Sequence, residues 1–314
     1  MPAGSLTLLE AAKSGSDLLH DGVVETLIQE SPLLEMLPVV TIKGNAIKHR
    51  VEGSLPTPAY RQVNDTYSRS WGGDSEHFWG VTILGGEVFI DNFIINTMGN
   101  EWDEKARQYE KFAKAMSRTF DADFFDADGT GNKFKGVNTL IDEGFGQTIG
   151  AADDTTNGGT MTLDDIDIAF DLLRDQSMPD AMLCNRTHRR KITQLARSSY
   201  TGISLIDVGT DVFGRKVNQY NGVGMRIIGD DINGTAILGY DETRGNNSTK
   251  SSLYLVAFGT DKVCLLMGAG GSFTVKDFGE TEAAPGHLGR VETYPGIALW
   301  SPHSIVRLQG IADA

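Results

Sequence analysis

The sequence predicts an α+β fold in which strand-rich segments bracket one long amphipathic helix and a smaller helix–strand–helix unit. Three observations lead there. Residues 78–95 hold Trp79, Val81, Ile83, Val88, Phe89, Ile90, Phe93 and Ile94, the aromatic and β-branched types that favour strands. Residues 98–126 repeat apolar side chains at steps of three and four, the stripe of an amphipathic helix. Residues 160–198 pair two helix-start signals with a short apolar run between them.

The first forty residues are acidic: Glu10, Asp17, Asp21, Glu25, Glu30 and Glu35 face a single Lys13. Val23–Ile28 can form one short helix, ending near Ser31-Pro32 because proline disfavours helix in the residue before it. With so little apolar material, residues 1–41 read as an arm lying on something else.

Residues 42–95 read as an extended hairpin with strands at Ile42–Val51 and Phe78–Ile95. Between them, 53–77 contains Gly53, Pro56, Pro58, Gly72 and Gly73, with Leu55 and Val63 as its aliphatics. Long irregular connections are normally functional, and an isolated hairpin is marginal in water. This arm is therefore expected to pack on another subunit.

The helix over 98–126 puts Trp102, Ala106, Tyr109, Ala113, Met116, Phe120 and Phe124 on one face. Glu101, Asp103, Lys105, Arg107, Glu110, Lys111 and Lys114 belong to the solvated face. At 1.5 Å per residue it is a rod of roughly 40 Å, broken by Gly129, Gly131 and Gly136. Thr162 is placed to cap a helix over Leu163–Ser177, with Asp165 favoured in its first turn. Ala181–Cys184 reads as a short buried strand, and Thr187 as the cap of a basic helix over His188–Arg197. Strands are expected at Val223–Ile228, Ala236–Leu238, Leu253–Phe258, Val263–Met267, Phe273–Phe278, Gly289–Trp300 and Ser304–Ile311. There are no repeats.

Composition narrows function. The 314 residues carry a formal net charge of −14. Phosphate neutralisation needs Lys and Arg, so the chain as a whole repels DNA; if it surrounds a genome, it does so as a container and not as a sequence reader. The two cysteines, Cys184 and Cys264, sit in separate apolar runs and read as buried hydrophobes, not a disulfide framework. No stretch is apolar enough for a membrane helix, and the N-terminal residues lack a secretory pattern, so cytosolic synthesis is expected.

Sites for chemistry are absent or incomplete. Asp126-x-Asp128-x-Thr130-Gly131 imitates the opening of a calcium loop, but its twelfth position, which needs a bidentate Glu, is Val137. The glycine-rich stretch Gly131–Gly136 lacks the Lys-Ser/Thr of a phosphate loop. There is no nucleophile elbow or HExxH helix, and His20, His49, His77, His188, His287 and His303 are scattered. No catalytic residue, cofactor or metal is expected.

The element order (acidic arm, long hairpin, rod helix, α/β unit, returning strands) resembles the major capsid proteins of tailed bacteriophages, the Hong Kong 97 fold. The likeness is carried by Phe120–Gly131 followed by Gly136-Val137-Asn138-Thr139-Leu140, by Ala181–Asn185, by Phe213–Val217 with Tyr220–Met225, and by Gly289–Leu299 ending in Ile305-Val306-Arg307-Leu308. It implies an N-terminal arm over 1–41 and an extended loop over 42–95. It implies a peripheral domain with the spine helix over 96–145 and 268–300, and an α/β axial domain over 146–267 and 301–314. Such subunits form hexamers and pentamers that tile an icosahedron around double-stranded DNA. The partners implied are other copies of the chain, a portal protein, a decoration protein and non-specifically packaged DNA. Because only about forty residues precede the hairpin, a separate scaffolding protein is expected. An encapsulin-like shell around a cargo enzyme shares the fold and is the alternative.

Interface candidates follow from the hairpin. Arg50, Arg61 and Arg69 can meet the acidic surface of a neighbour, and Tyr60, Tyr67 and Trp71 can anchor in its pockets. The hairpin tip lacks the lysine that some members use for cross-linking.

Overall fold

A computed structural model describes residues 30–98, 101–151, 157–173, 178–199, 206–210, 214–268, 273–282 and 284–313. Most of the acidic arm, including the helix expected at Val23–Ile28, lies outside the described residues.

The chain enters through α1 (Pro32–Met36), capped by the Ser31 side chain accepting from the Leu34 amide. Strand β1 (Val39–Ile42) follows, then β2 (Ala46–Ser54) and β3 (Gly73–Gly80), which pair antiparallel with His49 opposite His77. The single strand expected over Ile42–Val51 is thus two strands in different sheets, separated at Gly44, whose φ is +104°. The expected strand Phe78–Ile95 is also divided. After β3 the chain turns through 81–83, where the Thr82 amide donates to Pro295 O at 2.9 Å, and continues as β4 (Leu84–Asp91) and helix α2 (Asn92–Met98). The Asp91 carboxylate accepts from the Phe93 amide at 2.7 Å, and this cap converts an apolar run into a helix.

The long helix α3 spans Glu101–Asp126. Its buried stripe is Lys105, Tyr109, Ala113, Met116, Phe120 and Phe124. Ala106 is exposed and Lys105 is buried, the reverse of the sequence expectation. The Lys105 ammonium lies 3.6 Å from Asp277 and 3.1 Å from His287 Nδ1, and these partners make burial of the charge tolerable. The helix rests on a three-stranded sheet of β13 (Thr274–Glu280), β14 (Gly286–Thr293) and β4. Glycines set the approach: a Cβ at Gly289 would stand 1.6 Å from the Tyr109 hydroxyl oxygen.

The helix ends in a glycine turn. Gly129 and Gly131 have φ of +77° and +60°, and the Gly136 amide donates to Ala127 O at 2.7 Å. The acidic cluster serves this turn. Asp126 accepts from Asn138 at 2.8 Å, Asp123 pairs with Lys133 at 2.7 Å, and Asp128 accepts from the Thr130 amide at 2.9 Å. Among the described residues no three His, Cys, Asp or Glu side chains are grouped to hold a metal.

After α4 (Val137–Leu140) and a wide turn over Ile141–Phe145 comes the largest sheet. Its order is β5 (Gln147–Gly150), β16 (Ile305–Ala312), β11 (Asn247–Val256), β6 (Ala181–Cys184), β9 (Val223–Ile227), β8 (Lys216–Tyr220), β7 (Ile206–Thr210), with β10 (Glu242–Arg244) added on β11. Strand alternation serves two cores. Met182, Cys184, Leu253 and Leu255 pack with Ile166 and Ile192 of α5 (Leu163–Leu172) and α6 (Arg186–Ser199). Ala181, Leu183, Tyr254 and Val256 face the other way, into the core that holds the end of α3; Phe125 lies 5.0 Å from the Tyr254 ring.

Helix α5 begins at the expected Thr162 cap, and Asp165 closes a capping box with it. It ends at Leu172, and residues 174–177 of its expected course lie outside the described residues. Helix α6 is capped by Asn185, not Thr187: Asn185 Oδ1 accepts from the His188 amide at 2.6 Å, so the helix starts two residues earlier than expected. Ala236–Leu238 is a turn holding one isolated bridge, Asp230 with Ala236. Gly289–Trp300 is two strands, because the chain passes at Tyr294 from β14 into β15 (Pro295–Leu299), which pairs with β12 (Val263–Gly268) and, through it, β1.

Candidate assembly surfaces

The β2–β3 hairpin projects a tip over 55–72 that carries five of the six sequence-selected residues. Tyr60 is fully exposed, Tyr67 is 65% exposed and Trp71 is 87% exposed; Arg61 and Arg69 are exposed as well. The tip is tied by its own polar groups. The Thr57 amide donates to Ser70 Oγ at 3.0 Å, and that hydroxyl donates back to Thr57 O at 3.1 Å. Arg61 lies 5.0 Å from the Tyr67 ring centroid and donates to Gln62 O and Asp65 O, each at 3.3 Å. The tip therefore has local shape without an apolar core.

Arg50 sits lower, on β2. The structure matches it within the hairpin, 3.9 Å from both Asp74 and Glu76, while Lys48 reaches Glu76 at 2.6 Å. The structure brings Arg61 and Tyr67 together and leaves Tyr60, Arg69 and Trp71 displayed separately.

The base of the hairpin is where sequence reasoning missed residues. Trp79 is 2% exposed. It packs on Phe145 at 5.0 Å and His77 at 4.3 Å, and His49 meets Trp300 edge-on at 4.9 Å. Burial holds the His77 imidazole below its usual pKa range, opposed by Glu143 and aided by Lys135 and His49. Period-two alternation of His77 and Trp79 along β3 was the available signal.

A second surface is the outer face of the three-stranded sheet. Phe89 on β4, Leu288 on β14 and Phe278 on β13 form a stripe, with Phe89 opposite Leu288 in register. Phe89 and Phe278 are about half exposed. Phe93, two residues beyond β4, is 73% exposed, and Ile83, just before the opposite end of the strand, is equally exposed. Contiguous exposed apolar side chains of this kind mark contact surfaces.

No family model matches the sequence, and no curated protein matches it. Solved structures do. The SrpI encapsulin complex of Synechococcus elongatus superposes with a TM-score of 0.64 at 13% identity, over 89% of this chain and 87% of that one. Microbacterium phage Oxtober96 gives 0.60 at 16% identity, over 90% and 91%. The capsid of a native GTA particle gives 0.58 at 12% identity, over 90% and 91%. The chain has the Hong Kong 97 capsid fold. The likeness spans about nine tenths of the chain, and the sequence expectation of an α+β capsid fold holds.

Proposed function

We propose that this chain is the major capsid protein of a tailed bacteriophage. It assembles as hexamers and pentamers into an icosahedral shell enclosing double-stranded DNA, and has no catalytic role. The observation that carries the reading is the hairpin tip: eighteen residues that expose two tyrosines, a tryptophan and two arginines while adding nothing to the monomer's core. Side chains of these types are the ones that dominate interfaces. A subunit that keeps them in water gains nothing; one that buries them on a neighbour gains roughly 1.5–3 kcal/mol for each fully buried large side chain. Residues 1–41 act as the arm, 42–95 as the extended loop, 96–145 with 268–300 as the peripheral domain, and 146–267 with 301–314 as the axial domain. A scaffolding protein, a portal protein and a decoration protein complete the particle, which is built in the host cytoplasm and becomes the virion capsid.

A second reading, a shell enclosing a cargo protein, is favoured by the likeness to the SrpI encapsulin complex. Electron microscopy of assembled particles with analysis of their contents separates the two. DNA-filled particles in infected cells support the first; small shells that co-purify a protein cargo support the second. A monodisperse monomer under all assembly conditions refutes both.

A further inference from the structure

We propose that the outer face of α6 is a seat for the phosphate backbone of double-stranded DNA, a partner assignment that rests on the capsid reading above. Arg186, Arg189, Arg190 and Arg197 are exposed and lie three, four and seven residues apart, on one face of the helix. Their Cα positions extend over about 16 Å at 1.5 Å per residue, the axial span of about five phosphates on one strand. Among the described residues none of these four guanidinium groups pairs with a carboxylate, and α6 contains no Asp or Glu. That is unusual in a chain of net charge −14.

The same face lines an open trough of about 840 Å³, completed by Thr193, Gln194 and Asn218. Its polar lining is rich in donors and carries no ionised acceptor, which suits a ligand that only accepts. Two carboxylates, Glu30 and Glu35, share the neighbouring hollow with Arg189. Both are matched elsewhere: Glu30 lies 3.9 Å from Lys114 and Arg118, and Glu35 pairs with Arg215 and Arg226. The remaining cation of the helix, Lys191, turns inward and donates to Ala312 O at 2.7 Å. The arginines are thus sorted outward and left unneutralised. A straight row of phosphates fits that arrangement better than a few carboxylates of a second copy, because it neutralises all four along one line. Four contacts also give the weak, salt-sensitive attachment that a container needs to hold DNA without fixing it.

The test titrates purified full-length protein against a short mixed-sequence DNA duplex over a range of monovalent salt. The variant Arg186→Gln/Arg190→Gln/Arg197→Gln is compared with wild type, with the corresponding Arg→Lys variant and with Lys43→Gln, a control at an exposed turn. Each phosphate contact contributes about 0.9 to the slope of log K against log salt, so the Gln variant should lose roughly 2–3 of that slope. The Lys variant and the control should retain it. Unchanged DNA binding in the Gln variant overturns the proposal. If that variant also fails to form shells, the face is a joint between copies. Failure of wild type to form shells under any condition sinks the capsid reading, while the duplex titration still decides this inference.

Discussion

The hydroxyl of Ser31 donates to the carboxylate of Asp121, ninety residues further along the chain, and the Asp121 side chain is buried near the C-terminal end of the long helix α3. The same Ser31 oxygen accepts from the Leu34 amide. One serine therefore caps α1 and fastens the entering chain to α3.

Burial raises the Asp121 pKa to about 7, partly offset by the Ser31 bond. The folded state then holds a proton that the unfolded chain releases near pH 4. This carboxyl favours folding below about pH 4, loses that contribution as pH rises to about 7, and is a constant penalty above it. Asp121→Asn keeps an acceptor for Ser31 and removes the charge. Urea denaturation of the subunit at pH 8 should show the variant more stable, on the order of a few kcal/mol, with a flatter stability profile between pH 4 and 7. A variant less stable than wild type at pH 8 would show that the ionised carboxylate is the stabilising form.

Gly289 and Tyr109 form a second such pair. A methyl at 289 would overlap the Tyr109 hydroxyl, so Gly289→Ala should cost about 1–3 kcal/mol by overpacking. Tyr109→Phe removes the nearest atom, and the next, Cζ, lies 2.6 Å from the added Cβ. The double variant should recover part of the loss, and a thermodynamic cycle measures the coupling. Strict additivity would mean that β14 shifts to accommodate the methyl.

The pattern of what was legible follows from these contacts. The stripe Tyr109, Ala113, Met116, Phe120 and Phe124 could be read because a helix face repeats within its own sequence. The Thr162 cap could be read because its partner Asp165 is three residues away. Lys105 could not, since its burial depends on Asp277 and His287, which no local pattern ties to it. The splitting of 78–95 was hidden for the same reason. The break depends on Pro295, more than two hundred residues distant, and the apolar run alone does not separate strand from helix. The tip residues were found by composition, but the hairpin's seat on Phe145 and Trp300 required the tertiary structure.

That seat and the tip should respond oppositely to mutation. Trp79→Ala opens a cavity among His49, His77, Phe145 and Trp300 and should cost about 3–5 kcal/mol of subunit stability. Trp79→Phe should cost much less, because it fills most of the space and removes an indole N–H buried without a partner among the described residues. Trp71→Ala, at an exposed site, should leave the denaturation midpoint within about 0.5 kcal/mol while reducing shell yield. Equal loss of stability from Trp71→Ala and Trp79→Ala would mean that the tip belongs to the fold.

Replacing residues 55–72 with a short Gly-Ser turn extends that contrast. Helical content and melting of the subunit should be retained, because the Trp79 seat and the β2–β3 ladder up to Ser54 and Gly73 are kept, while particles disappear from sedimentation. Arg61→Glu and Arg69→Glu should weaken shells, with the effect fading at high salt, since exposed charges are screened over about 8–10 Å. Arg50→Glu should behave differently. It sets a third carboxylate beside Asp74 and Glu76, so it should lower the stability of the subunit itself. If all three arginines act alike, the electrostatic account of the tip fails.

The last prediction is that mature particles hold together without covalent links between subunits. An isopeptide bond needs a lysine amine brought to a neighbour's carboxyl or amide side chain in a site that lowers its pKa. Between His49 and Trp79 the hairpin has no lysine. Lys48 is at its base and engaged with Glu76 at 2.6 Å; Lys43 lies in the turn before β2, far from the tip that would reach another capsomer. Disulfides are equally disfavoured. Cys184 and Cys264 are fully buried, and burial pushes their thiols up to about 12 and about 11, so little thiolate forms at neutral pH. Cohesion then falls to the apolar stripe of Phe89, Leu288 and Phe278, to the aromatic tip and to hydrogen bonds at the joints. Particles boiled in detergent with and without reductant should both run as one band near the 34.0 kDa of the chain. A ladder that persists with reductant would reveal a lysine link, and one that vanishes with it a disulfide; either would show that the buried thiols or the basal lysines are carried to a neighbour during assembly.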